Sequence, residues 1–201
     1  MTPELEQIGL MLAKPAPIRS RPGWIYELKY DGYRILAGRD GGALRLRTRE
    51  RRDATSWYPD LVDVLTKVPG RWVLDAEVCA LNGNGMPDFA ALNSLRGRGI
   101  PVALFAFDIL FHKGRDLRQL PLLDRKARLK LLIPAAARGL GHVDYIEEKG
   151  EEVYAHAVQL KLEGVVAKKA DSPYIAGRSN YWLKTTRPGY MQGWKRSPDG
   201  T

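Results

Sequence analysis

The chain has 201 residues, enough to bury a sizeable core as one domain or as one domain with two lobes, and too few to expect a second full domain. A hydrophobic content of 44% with 27% charged residues, and no apolar run of bilayer-spanning length, excludes the membrane-spanning and disordered classes. The 32 Lys and Arg residues exceed the 23 Asp and Glu by +9, so the expected partner is a polyanion, nucleic acid foremost.

The N-terminal stretch carries acids early and lacks a basic segment followed by an apolar core, so no secretory signal and a cytoplasmic address are expected. Trp24 to Tyr30 is rich in β-formers and predicts a strand. Asp31-Gly32 breaks it before a second strand from Tyr33 to Gly38, and Asp-Gly between two such runs predicts a tight turn. Asp40-Gly41-Gly42 leads into a third strand, Ala43 to Arg49, with Leu44 and Leu46 on one face and Arg45 and Arg47 on the other. The start therefore reads as an antiparallel meander. The basic run Arg45 to Arg52 mixes polar and apolar residues, which suits a folded strand and turn; a solvated edge strand and a phosphate-tracking surface both fit it.

Ser56 is a candidate cap for a helix in which Trp57, Leu61, Val62 and Leu65 recur up to the Pro69-Gly70 break. Arg71 to Leu81, which contains the single cysteine, Cys79, and Pro101 to Phe111 read as long strands, with a short helix near Asp88 to Leu95 between them. One cysteine excludes an internal disulfide framework, and His112, His142 and His156 have no zinc-like spacing with it. Leu122 to Leu132 and Glu151 to Leu162 predict helices. Gly164 to Lys168 and Tyr181 to Thr185 predict strands joined through a loop with Ser172-Pro173 and Ala176-Gly177-Arg178. Mixed elements without regular βαβ alternation indicate an α+β fold with largely antiparallel sheets.

Residues able to carry chemistry fall at strand ends or along strand faces, as the lining of a cleft between two sheets would. Lys29 stands beside a Tyr-Asp-Gly turn, a pattern that by itself also describes ordinary surface cations. Asp75 and Glu77, two apart on a strand, point to one face and can bind a metal or polarise a sugar hydroxyl; an exposed strand face is the plain alternative. Phe107 and Asp108 take opposite faces, and Phe107 suits either base stacking or a core. Glu163-Gly164 precedes a buried strand that ends in Lys168-Lys169, and Tyr181-Trp182-Leu183-Lys184 closes the series.

In that order these motifs resemble those of covalent nucleotidyltransferases, specifically ATP-dependent DNA ligases, and most of all the ligase domain of bacterial non-homologous end-joining ligases. The stretches Pro87 to Leu92, Asp116 to Leu129 and Ser172 to Arg178 resemble what those domains carry between motifs, so the likeness covers roughly Met11 to Arg187. It implies two largely antiparallel sheets with flanking helices around a nucleotide cleft, the ligase and capping-type, ATP-grasp-like architecture, over residues 1–188, with a short tail at 189–201. It implies that Lys29 attacks the α-phosphate of ATP and holds AMP as a phosphoramidate. A lysine must lose its proton to do so, and nearby cations, metal ions and burial favour that loss.

By the same resemblance, Glu27 accepts a hydrogen bond from the adenine amino group, Leu28 is a nucleotide-binding residue, Phe107 stacks on the base and Val166 covers its other face. Arg34 and Arg49 are phosphate or ribose contacts, Lys168 and Lys184 stand near the α-phosphate, and Glu77 binds the ribose hydroxyls. Glu77 and Glu163 are the metal carboxylates, for Mg2+ or Mn2+. AMP would pass to a DNA 5′-phosphate and be displaced by a 3′-hydroxyl. The partners implied are nicked or broken duplex DNA, a separate oligonucleotide-binding domain and end-joining repair proteins, at the bacterial nucleoid and away from membranes.

Two departures bear on this reading. The final motif usually runs Trp-x-Lys-x-Lys, whereas here it runs Trp182-Leu183-Lys184-Thr185-Thr186, with Arg187 next. The 13 residues from Gly189 are too few for the oligonucleotide-binding barrel that follows the core in such ligases. A DNA-binding pseudoenzyme and an RNA ligase or capping-type GTP transferase remain the competing readings. Lys29, Glu77 and Glu163 weigh against the first, and Glu27 with the intervening stretches weighs against the second.

Overall fold

The computed structural model describes residues 5–83, 88, 91–92, 101–133 and 139–190. They form two sheets. The strands are β1 (Met11–Pro15), β2 (Trp24–Lys29), β3 (Tyr33–Asp40), β4 (Ala43–Thr48), β5 (Trp72–Ala80), β6 (Val102–His112), β7 (Arg115–Asp116), β8 (Leu140–His142), β9 (Ile146–Glu147), β10 (Gly164–Lys169) and β11 (Gly177–Thr186). The first sheet has the order β1-β11-β10-β2-β9 and the second β4-β3-β5-β6-β7, with β8 joined to β6. Three helices flank them: α1 (Pro59–Leu65), α2 (Leu122–Leu132) and α3 (Gly150–Gln159). Among the described residues no helix is long and apolar enough to cross a membrane.

The expected α+β class with mainly antiparallel pairing is observed; the two parallel pairs are β1 with β11 and β6 with β8. The expected opening meander is observed only in part: β3 and β4 form the antiparallel pair turned at Asp40-Gly41-Gly42, but β2 does not join them. β2 pairs with β10 and β9 in one sheet, whereas β3 pairs with β4 and β5 in the other, so Asp31-Gly32 carries the chain across between sheets and closes no hairpin. Gly32 is required by proximity: a Cβ there would stand 2.1 Å from the carbonyl oxygen of Val78 on β5. Local turn propensity and a close crossing call for the same residue, which is why the dipeptide misleads.

Ser56 does not cap a helix. Thr55–Trp57 forms a short 3-10 turn, and α1 starts after Tyr58 without a side-chain cap. Asp53 performs the local work, its Oδ1 accepting from the Thr55 N–H at 2.8 Å. Arg47, expected on a polar face of β4, is 2% exposed, and its guanidinium donates to the Ile8 carbonyl at 2.9 Å because the N-terminal segment covers that side. β1 and the early start of β11 at Gly177 have no clear alternating pattern and were not expected. The helix anticipated near residues 88–95 lies largely outside the described residues, although Ala91 and Leu92 are helical.

The second sheet packs apolar residues on both faces, and the first buries chiefly its helix-side face. One face of the second sheet, with Ile35, Ala37, Leu74, Ala76 and Leu104, packs under Leu61 and Leu65 of α1 and Leu129 of α2. In the first sheet Tyr26, Val165 and Ala167 pack against Val153 and Ala157 of α3. Between the sheets Leu36, Val73, Phe107, Tyr174 and Trp182 share a third cluster, which seats one sheet on the other. Cys79 is fully buried, as expected of a strand residue.

Candidate nucleotide-binding cleft

Strand register assembles the first wall. Along β2, β10 and β11 the cross-strand rows are Ile25, Lys168 and Trp182; then Glu27, Val166 and Lys184; then Lys29, Gly164 and Thr186. Side chains alternate along strands, so these residues share the face opposite to that of Tyr26, Leu28, Val165 and Leu183, which pack on the α3 side. The Leu28 side chain is therefore not brought into the cleft; its backbone alone borders these rows. Thr186 occupies the row of Lys29, where the usual motif has its second lysine.

Lys29 ends β2 with its ammonium donating to Glu163 Oε2 at 2.5 Å; the lysine side chain is 19% exposed and the carboxylate 1%. The register explains the meeting, because Gly164 lies opposite Lys29 and Glu163 directly precedes it. Gly164 allows β11 to come close: a Cβ there would lie 2.0 Å from the Thr185 carbonyl oxygen. Burial lowers the Lys184 pKa, and the positive charges of Lys29, Arg49 and Arg178 lower it further against the pull of Glu163. Arg49 is exposed just past β4. Arg187 donates from Nε to the Leu162 carbonyl at 3.0 Å and stacks over Tyr190, whose hydroxyl donates to Asp31.

The second sheet forms the facing wall. Glu77 lies opposite Arg34 and Phe105. Burial pushes its carboxyl up to about 7 although Lys29 and Arg34 draw it down, and the negative charges of Glu163 and Asp31 add to the rise. Asp75 is fully buried, not on an exposed face: it takes two hydrogen bonds from Arg34, at 2.9 and 2.6 Å, and one from the Tyr174 hydroxyl at 2.6 Å. The Arg34 guanidinium is thus committed to Asp75 while lying 5.3 Å from the Phe107 ring centre. Phe107 meets Trp182 edge-on at 6.0 Å. Asp108, on the other side, is locked to Arg125 of α2 at 2.8 and 2.9 Å.

Glu27, 2% exposed, lies between two buried lysines. Lys126 of α2 donates to Oε1 at 2.6 Å, and Lys168 lies against Oε2 at 2.6 Å. Lys168 also lies 4.5 Å from the Phe107 ring centre and 4.2 Å from that of Trp182. Its place is the row of Ile25, two rows from Lys29, so in this arrangement it belongs to the Glu27 and Phe107 end of the cleft; Lys184 is the lysine near Lys29. Burial lowers the Lys168 pKa against the attraction of Glu27. Lys126, Tyr174 and the Arg125–Asp108 pair escape sequence reasoning, since their partners come from distant segments and charges on a helix give no local sign of being buried.

Among the described residues no group of three or more His, Cys, Asp or Glu could hold a metal by itself. Glu77 and Glu163 nevertheless sit close enough for the charge of one to raise the pKa of the other. Two carboxylates that repel across a cleft suit a hard divalent cation that arrives with phosphate oxygens and water.

Comparison with known proteins places this arrangement. The family model described as ATP dependent DNA ligase domain matches residues 10–185. The chain is 37% identical to the Multifunctional non-homologous end joining protein LigD of Pseudomonas aeruginosa over 187 residues, covering 91% of this chain and 22% of that protein. Its likeness to the LigD protein of Mycolicibacterium smegmatis is 36% over 183 residues, covering 88% and 24%. The crystal structure of the ligase domain from M. tuberculosis LigD superimposes with a TM-score of 0.81 at 34% identity, over 91% of this chain and 62% of that one. The chain thus spans about a quarter of the length of the curated relatives. With a matching model across most of its length, and a fold shared with a solved ligase domain, the chain belongs to the family of ATP-dependent DNA ligase domains.

Proposed function

We propose that this chain, over residues 1–188, is the adenylating core of a DNA ligase that joins breaks in duplex DNA, working with end-joining proteins at the bacterial nucleoid. The observation that carries the reading is the row of Lys29 against Glu163, with Lys184 beside it and Glu77 opposite.

Lys29 Nζ, once deprotonated, attacks the α-phosphorus of ATP; a P–N bond forms, the bond to the β-phosphate oxygen breaks and pyrophosphate leaves. Glu163 holds the lysine in place and is the nearest acceptor for its proton. Lys184 stabilises charge growing on the α-phosphate oxygens. The oxygen of a DNA 5′-phosphate then takes the AMP from Lys29, and a 3′-hydroxyl displaces AMP to form the phosphodiester. Glu27 accepts from the adenine amino group, Phe107 and Val166 enclose the ring, and Glu77 receives the ribose hydroxyls. Arg49 is free to reach a phosphate, whereas Arg34 does so only by sharing its guanidinium with Asp75. Glu77 and Glu163 would hold magnesium, which supplies charge neutralisation at the phosphates. The test is intact-mass analysis after incubation with ATP or GTP. A gain of one AMP that disappears in Lys29→Ala, with the fold and DNA binding retained, is expected; undiminished labelling of that variant refutes the assignment.

A further inference from the structure

The Lys126 ammonium makes three contacts that span the molecule: Glu27 Oε1 on β2 of the first sheet at 2.6 Å, the Phe107 carbonyl on β6 of the second at 3.5 Å, and the Val143 carbonyl after β8 at 2.8 Å. Its side chain is 4% exposed and that of Glu27 3%. One buried cation therefore ties the carboxylate assigned to the base edge to the strand that bears the stacking ring. Resting on the function proposed above, we propose that Lys126 is a positioning residue for base selection, fixing Glu27 as a hydrogen-bond acceptor at a set distance from Phe107 so that the cleft takes a 6-amino purine and rejects a 6-oxo purine.

The chemistry follows from donors and acceptors. A carboxylate has about four lone-pair sites, so Glu27 can accept from Lys126 and still receive an amino hydrogen. A 6-oxo group presents a carbonyl oxygen to the same carboxylate, acceptor against acceptor, and a buried site has no water to relieve the mismatch. Lys168 cannot serve equally. It touches the other oxygen of the same carboxylate at 2.6 Å, but it comes from β10, the neighbour of β2 in the same sheet, so it does not tie Glu27 to the backbone of the second sheet. Lys126, anchored by carbonyls as well as by the carboxylate, does.

The experiment compares initial rates of lysine nucleotidylation with ATP and with inosine triphosphate, over a range of concentrations, in the unaltered chain and in Lys126→Met, Lys126→Gln and Glu27→Gln. Lys126→Met should raise the half-saturating ATP concentration about tenfold with a smaller change in the limiting rate of labelling, and reduce the preference for ATP over inosine triphosphate about tenfold. Lys126→Gln, which keeps a donor, should fall between, and it decides the matter alone if the methionine variant does not fold. A preference unchanged in the folded Lys126 variants overturns the proposal, provided that Glu27→Gln loses it. If Glu27→Gln also leaves the preference intact, the assignment of Glu27 to the base is wrong and the proposal falls with it.

Discussion

At the residue scale, the groups that matter are set by what surrounds them more than by what they are. Asp108 and Arg125 are both fully buried and pair bidentately, so Asp108→Ala strands a guanidinium in the core; we expect a loss of about 3–5 kcal/mol in urea unfolding. Gly32→Ala puts a methyl against the Val78 carbonyl and should cost about 1–3 kcal/mol by the same measurement, with slower labelling of nearby Lys29. Cys79 is buried, and burial pushes its thiol well up, so a thiol reagent should modify the folded chain at least about a hundredfold more slowly than the urea-unfolded one. That Lys29, Glu27 and Glu163 line one cleft was legible from their motifs. The burial and ion pairing of Asp75 and Lys126 were not, because Asp-x-Glu and Arg-Lys-Ala-Arg look the same whether solvated or buried.

Elements set which residues can meet. The β2, β10 and β11 register places Lys29 opposite Gly164 and Glu27 opposite Val166, and a slip of one residue would turn every member of those rows to the helix side. Strand positions were read well from composition, whereas their partners were not, since pairing is a non-local choice. The start of the segment leading to α1 gives a test. Asp53→Ala should cost about 1 kcal/mol while Ser56→Ala costs almost nothing, because Asp53, not Ser56, accepts the Thr55 N–H. Bonds from Thr55 hold the Asp53 carboxyl below its usual range. The native state thus binds its proton less readily than the unfolded chain, so the contribution is present above the ordinary carboxylate pKa and is lost as pH falls through the lowered one. Unfolding curves of Asp53→Ala and the unaltered chain should converge in acid.

For the whole molecule, an excess of +9 and the exposed basic residues Arg45, Arg49, Arg51 and Arg52 around the end of β4 give a surface suited to a phosphate polyanion, which the function proposed above requires. Binding to nicked duplex should weaken by about tenfold or more as salt rises from about 50 to about 200 mM, since each lysine or arginine on a phosphate releases counterions. Salt-independent binding by fluorescence anisotropy would contradict a phosphate-tracking surface. The sequence by itself determined the α+β class, most strand positions, the family and the order of the motif residues, because alternation, turn chemistry and short motifs are local. Only the tertiary structure decided that β2 and β3 part into different sheets, that Arg34 is held by Asp75, that Lys168 lies with Glu27 and not beside Lys29, and that Lys126 crosses from one wall of the cleft to the other. Those are outcomes of which buried charges find partners when two sheets close on each other, and that depends on distances between segments about a hundred residues apart or more, as Glu27 and Lys126 are.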